Sequence, residues 1–129
     1  MIIIEIRESH PFSDAPFRAA LQAMASGNDR WERIIQLVNS TAPSDWKIAI
    51  IEADMILEEM VAAMGYKGEN LGEQLKTIER SDFETLDDAW EAHKVRNQIA
   101  HEPGFELTQR EAKIIVGLFE NVFREFQFI

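Results

Sequence analysis

The stretch W-K-I-A-I-I-E-A-D-M-I-L-E-E-M-V-A-A-M, residues 46 to 64, sets the fold class of this chain. Its apolar side chains recur at the three- and four-residue spacing of one helix face. They are Trp46, Ala49, Ile50, Ala53, Ile56, Leu57, Met60 and Val61. A stripe this wide predicts a long helix buried in a core. We expect Ser44-Asp45 to cap its start and Gly65-Tyr66-Lys67-Gly68 to end it.

Helical patterns continue on the N-terminal side of this segment. Residues 29–40 carry Trp31, Ile34, Ile35 and Val38 on one predicted face. Before them, Ser13-Asp14-Ala15-Pro16 resembles a cap followed by a first-turn proline. It predicts a further helix that runs to about Met24 and stops at Gly27-Asn28.

Three more helices are predicted on the C-terminal side. The first two cover residues 71–80 and 84–100, and Pro103 closes the second because the residue before proline avoids helical angles. The last begins at Thr108, where Glu111 completes a capping box. Its apolar residues are Ile114, Ile115, Leu118, Phe119, Val122, Phe123 and Phe126.

These patterns predict an all-α protein. Its 129 residues suffice for one core, and only the first six residues resemble a strand. We therefore expect an antiparallel helical bundle of four to five main helices over residues 13–129, preceded by a short N-terminal extension, residues 1–12. The chain has no cysteine, which excludes disulfides and zinc–cysteine sites.

Charge limits the partners of the chain. Thirteen Lys and Arg stand against 23 Asp and Glu, a formal net charge of −10. Bulk attraction to nucleic acid is excluded, and a polyanion would have to be bound locally. The opening run Met1-Ile2-Ile3-Ile4 is interrupted at Glu5, far short of the ~20 apolar residues that span a bilayer. We expect a cytoplasmic protein with no membrane partner.

The sequence that suggests chemistry is Arg96-Asn97-Gln98-Ile99-Ala100-His101, at the end of the predicted helix 84–100. Arg96 falls inside an apolar stripe formed by Leu86, Ala89, Ala92 and Ile99. A charge placed there needs an internal partner, a ligand or a second subunit, because burying it alone is prohibitively costly. Asn97 and His101 are four residues apart and share a helix face.

Arginine and histidine together suit cleavage of a ribonucleotide backbone without a metal. The reaction needs a base for the 2′-hydroxyl proton, an acid for the leaving oxygen and positive charge on the phosphate. Imidazole serves as base or acid, and guanidinium matches phosphate geometry. One chain offers Arg96 and His101 but no second histidine convincingly placed. A symmetric homodimer would supply both copies.

The same six residues resemble the R-N-x-x-x-H form of the Rx4-6H motif of HEPN domains, and the resemblance covers residues 46–126. It implies a four- or five-helix bundle that dimerises through its motif helices. It also implies a metal-independent endoribonuclease without a cofactor, in which Arg96 and His101 are catalytic and Asn97 binds substrate. The partners it implies are RNA, a second copy of the chain, and a cognate antitoxin or other partner protein.

Other interpretations use these residues structurally. Arg96 could pair within its own subunit with Glu52, Asp54, Glu58 or Glu59, and His101 could stabilise a helix C-terminus. His93 is interpreted as a partly buried histidine with its hydrogen bonds satisfied. The chain would then be a non-catalytic HEPN-like module for dimerisation or partner binding.

Acidic pairs suggest a different class of function. Glu79 and Asp82, like Glu84 and Asp87, have the one-turn spacing that helps hold magnesium in helical pyrophosphatases. The long central helix has no Glu-x-x-Glu pair to face them. We therefore interpret them as solvated charges and predict no metal site.

Overall fold

A computed structural model describes residues 27–129, and it confirms the all-α helical bundle. Its five helices are α1 Gly27–Asn39, α2 Pro43–Ala63, α3 Leu71–Lys76, α4 Leu86–His101 and α5 Gln109–Glu125. A 3₁₀ turn, Arg80–Asp82, lies between α3 and α4, and the described range contains no strand. The predicted extension 1–12 and the helix predicted from Ser13 lie outside the described residues. Within residues 27–129, no helix is both long and apolar enough to cross a membrane.

Helix α2 is the centre of the bundle, and it contacts each of the other four helices. All of its predicted stripe is buried except Trp46, which is partly buried. Ile50 and Phe119, both 0% exposed, lie in the core. The stripe predicted from the sequence therefore does face the interior, as the hydrophobic effect requires of so many apolar side chains on one helix.

An aromatic cluster fills the end of the bundle where α4 begins and α5 ends. The Phe123 ring packs edge-on against Trp31, with 5.7 Å between centroids, and stacks with Phe119 at 6.1 Å. Phe83 and Phe126 form a second edge-on pair at 4.8 Å. Offset and edge-on geometries suit aromatic quadrupoles, so the cluster contributes packing energy beyond its buried area.

The long helix begins earlier than predicted. Ala42 is its N-cap residue, with no side-chain hydrogen bond, and Pro43 occupies the first helical turn. Proline is favoured there because its fixed φ suits the helix and its missing N–H would have no helical partner. Ser44-Asp45 is therefore not the cap. Asp45 Oδ2 instead accepts a hydrogen bond from the Ser40 hydroxyl, with 2.6 Å between the oxygens.

Other helix boundaries also differ from prediction. Helix α3 ends at Lys76 and not at Arg80, because the Thr77 hydroxyl donates to the Gln74 carbonyl at 2.7 Å and closes the last turn. Gly27 and Asn28, predicted as a helix stop, already belong to α1.

Both ends of the α4–α5 pair are fixed by polar contacts. The Glu125 carboxylate accepts the backbone N–H groups of Glu84 and Thr85 at 2.8 and 2.7 Å, just before α4. At the other end, Thr108 and Glu111 form the predicted capping box of α5. These contacts fix the start of α4 against the end of α5 and cap the start of α5.

Candidate active site

The C-terminal half of α4 borders an open cavity of about 380 Å³ between α2, α4 and the start of α3. Its lining residues are Asp54, Glu58, Asn70, Leu71, Gly72, His93, Arg96, Asn97 and His101. The three residues predicted from the motif therefore line one cavity. The helical period explains this, because positions 93, 97 and 101 are each one turn apart and Arg96 is beside Asn97.

Asp54 and His93 form a buried hydrogen-bonded pair at the floor of this cavity. They are 4% and 7% exposed, and His93 Nδ1 lies 3.0 and 3.1 Å from the two carboxylate oxygens. A carboxylate only accepts, so Nδ1 carries the proton and donates it to Asp54. This agrees with the prediction of a histidine whose hydrogen bonds are satisfied.

Asn97 connects this pair to Arg96. The Arg96 Nη1 donates to Asn97 Oδ1 at 3.5 Å, and Asn97 Nδ2 lies 3.3 Å from His93 Nε2. Because a guanidinium can only donate, the Asn97 oxygen must face Arg96 and the amide N–H must face the imidazole. In this arrangement Nε2 of His93 faces the Asn97 amide N–H as an acceptor.

Arg96 also supplies the charge that Asp54 requires. Its Nε lies 3.7 Å from Asp54 Oδ2, an ion pair without a hydrogen bond, and its side chain is 35% exposed. A buried carboxylate needs a nearby cation, because desolvation is otherwise uncompensated. The internal pairing foreseen for Arg96 is thus realised with Asp54. Two of the other predicted acids have different partners, since Glu52 pairs with Arg33 and Glu59 with Arg30.

Among Arg96, Asn97 and His101, only His101 is exposed. It lies in the last turn of α4 and lines the same cavity as Arg96. The negative end of the helix dipole favours positive charge at this position. An imidazole and a guanidinium therefore border one space that is open to a ligand.

Gly72 leaves room above His93. A Cβ atom built at position 72 would lie 3.6 Å from His93 Nε2 and 3.4 Å from Asn70 Oδ1. A larger side chain at this position would extend over the imidazole edge. No side chain of residue 72 therefore lies against Nε2.

Sequence reasoning did not place Asp54, His93 and Gly72 together in this site. The available signals were an aspartate in the middle of an apolar helix stripe and a histidine one turn before Asn97. Asp54 and His93 are 39 residues apart, so only helix packing could show that they meet. The acidic pairs interpreted above as solvated charges do not line this cavity, and Asp87 pairs with Arg80 at 2.6 Å. Within residues 27–129, no three His, Cys, Asp or Glu side chains are grouped as a metal site.

No protein-family model, no curated protein and no solved structure matches the chain.

Proposed function

We propose that this chain is a HEPN-like, metal-independent endoribonuclease that acts as a homodimer. One observation carries the proposal: Arg96, Asn97 and His101 line a single open cavity. Imidazole and guanidinium are the groups that phosphodiester cleavage requires when no metal takes part. The resemblance of residues 96–101 to the HEPN motif supports the same reaction.

Arg96 is assigned to the phosphate of the substrate. Its pairing with Asp54 is the arrangement expected of the non-catalytic alternative, but it also leaves room for this role, because the guanidinium has five N–H donors. Within the described residues, its only hydrogen bond is the 3.5 Å contact to Asn97. Asp54 holds the side chain in place, and the remaining donors are left for phosphate oxygens. Asn97 fixes the orientation of Arg96 and contributes an amide to substrate binding.

His101 is assigned to proton transfer. It is exposed at the cavity and lies in the last turn of α4, so it can reach a bound RNA backbone without a large rearrangement. The 2′-hydroxyl attacks the adjacent phosphorus and the 5′-oxygen leaves. The products therefore end in a 2′,3′-cyclic phosphate and a 5′-hydroxyl.

A homodimer through α4 would bring two copies of the motif to one RNA molecule. This doubles the positive charge near the substrate, which matters in a chain of net charge −10. Sedimentation at tens of micromolar should give twice the 14.8 kDa chain mass. A single species of chain mass at that concentration would contradict the dimer.

Incubation of the purified protein with total RNA tests the activity. We expect cleavage that EDTA does not alter, cyclic-phosphate ends, and no cleavage of a DNA copy of the same substrate. His101→Ala should lower the rate roughly a hundredfold to ten-thousandfold, as loss of a general acid or base does. Arg96→Lys keeps the positive charge beside Asp54 but loses the planar fork, and we expect roughly a hundredfold loss.

Lys94→Ala is the matched control for these variants. Lys94 is exposed on the same helix, contacts Glu91 and does not line the cavity. The substitution removes one positive charge two residues from Arg96. It therefore distinguishes the effect of the cavity residues on cleavage from the effect of the overall charge of α4. Undiminished cleavage by His101→Ala would contradict the proposed role of His101.

A second candidate is a non-catalytic HEPN-like module that dimerises or binds a partner protein. The opposite side of α4 favours it, because a largely apolar groove lies there. Its lining residues are Val95, Gln98, Phe105, Leu107, Glu111, Ile114 and Ile115. Ile114, predicted as part of the apolar face of α5, is 56% exposed at this groove. An inert wild type that forms a stable dimer would favour the module, and Ile114→Glu should then weaken that dimer.

A further inference from the structure

His93 is the only buried imidazole within residues 27–129, and the reaction proposed above needs a second proton-transfer group besides His101. We propose that His93 is the general base of this reaction and that Asp54 is its positioning residue. The inference rests on the proposed ribonuclease function. Each subunit would then hold a complete acid–base pair, and the partner copy would add charge and RNA-binding surface only.

The hydrogen bond to Asp54 prepares His93 for this role. Donation from Nδ1 to the carboxylate fixes the tautomer that leaves a lone pair on Nε2. When Nε2 takes up a proton, the adjacent negative charge of Asp54 stabilises the imidazolium that results. A buried carboxylate behind a histidine serves the same purpose in hydrolytic triads.

In this role Nε2 must be reached by the substrate from the cavity. His93 lines the cavity although it is only 7% exposed, and Gly72 places no side chain against Nε2. The only described contact of Nε2 is with Asn97 Nδ2 at 3.3 Å, which is at the long end for a hydrogen bond. In the proposed step a substrate hydroxyl replaces that contact.

His93 and His101 together account for both proton transfers of the cleavage step. His93 Nε2 takes the 2′-hydroxyl proton as the new bond from O2′ to phosphorus forms. His101 enters as the imidazolium and gives its proton to O5′ as the bond from phosphorus to O5′ breaks. Arg96 offsets the charge on the phosphate oxygens, and no oxidant, reductant or further reactant is needed.

The pH dependence of cleavage tests the role of His93. Its charged or titratable neighbours in the cavity are Asp54 and Glu58 of α2 and Arg96 and His101 of α4, and the segment 70–72 adds none. A base and an acid together give a bell-shaped profile of kcat/KM, in which the ascending limb reports the base. His93→Gln should lower the rate roughly a hundredfold to ten-thousandfold and remove the ascending limb.

Asp54→Asn provides a second variant that retains His93. The amide oxygen can still accept the Nδ1 proton, but the negative charge that stabilises the imidazolium is lost. We expect slower cleavage and an ascending limb displaced to lower pH. A purely structural role for the pair would lower the rate without moving the limb, and that result would overturn the inference.

A mixing experiment tests whether both imidazoles belong to one subunit. Wild type is combined with a large excess of His101→Ala at saturating RNA, so that most wild-type subunits meet an inactive partner. We expect unchanged activity per wild-type subunit, because its own His93 and His101 remain together. Near-complete loss would show that the partner's imidazole is required and would overturn the inference.

These outcomes separate the two proposals. A wild type that cleaves no RNA would contradict the ribonuclease function itself. A wild type that cleaves RNA while a folded His93→Gln protein cleaves equally well would contradict only the role of His93. If His93→Gln fails to fold, the Asp54→Asn variant and the mixing experiment still test whether His93 is the general base.

Discussion

The N-terminal half of α4 faces an aromatic core, whereas its C-terminal half faces a polar cavity. Leu86, Ala89 and Ala92 are buried with Phe83 in the core. His93, the residue after Ala92, begins the hydrogen-bonded set that continues through Asn97. One helix thus combines a rigid attachment with a polar surface, which is how a scaffold holds functional groups in position.

The two halves also differ in how their stability arises. The aromatic end depends on packing, which needs no specific charges. The polar end buries Asp54, and this is tolerated only because His93 donates a hydrogen bond and Arg96 supplies a positive charge. Substitutions at the first half should therefore act on stability alone. Under the proposed function, substitutions at the second half should affect both stability and RNA cleavage.

The largest loss of stability is expected from Phe123→Ala at the aromatic end. Phe123 is fully buried and contacts Trp31, Phe119 and Phe128. Removing the ring leaves a cavity, and we expect the free energy of unfolding to fall by about 3–5 kcal/mol in denaturant titration. The exposed Ile114→Ala is the control, with an expected change within about 0.5 kcal/mol. Equal effects of the two substitutions would contradict the packing described.

A smaller loss is expected from Arg96→Ala at the polar end. It leaves the Asp54 carboxylate without its cation, but Arg96 is partly exposed and 3.7 Å away. We therefore expect a cost of about 1–3 kcal/mol, below that of breaking a fully buried pair. Adding Asp54→Asn to Arg96→Ala should recover part of the loss, and a double-mutant cycle measures the coupling. Strictly additive effects would show that the pair is not coupled.

The smallest effect is a pH dependence at the capping box that begins α5. Glu111 accepts the backbone N–H of Thr108, and this hydrogen bond lowers the pKa of the Glu111 carboxyl from its ordinary 4.5; the second cause is the hydrogen bond with the Thr108 side chain. A lowered pKa in the folded state stabilises the fold above the ordinary value, and the gain is lost as pH falls through the folded-state pKa.

Glu111→Gln tests this dependence. The wild type should have the higher melting temperature near neutrality, and the difference should shrink as pH falls below 4.5. Glu106→Gln, an exposed change in the preceding loop, is the control for loss of one negative charge. A difference that grows in acid would have the wrong sign for a capping carboxylate.

Individual residues show which features of the fold can be predicted from the sequence. The Thr108 capping box and the burial of Ile50 and Phe119 were predicted correctly, because caps and helix periodicity are local properties. The start of α2 was predicted wrongly, because Ser44-Asp45 has cap-like residues but Pro43 already fits the first turn. Local signals compete at boundaries, and a short-range rule cannot decide between them.

In the candidate site, the sequence indicates which residue needs a partner but not which residue that partner is. The sequence by itself determined that Arg96 lies on a largely apolar helix face and therefore needs a partner, since the cost of an unpaired charge is independent of topology. Which of four carboxylates would meet it depends on the rotation of α2 against α4, and only the tertiary structure selects Asp54. The same rotation brings His93 to the Asp54 carboxylate. The packing of α3 against α4 places Gly72 beside the His93 ring. Hydrogen bonds act over about 3 Å, a distance that only packing can set between residues so far apart along the chain.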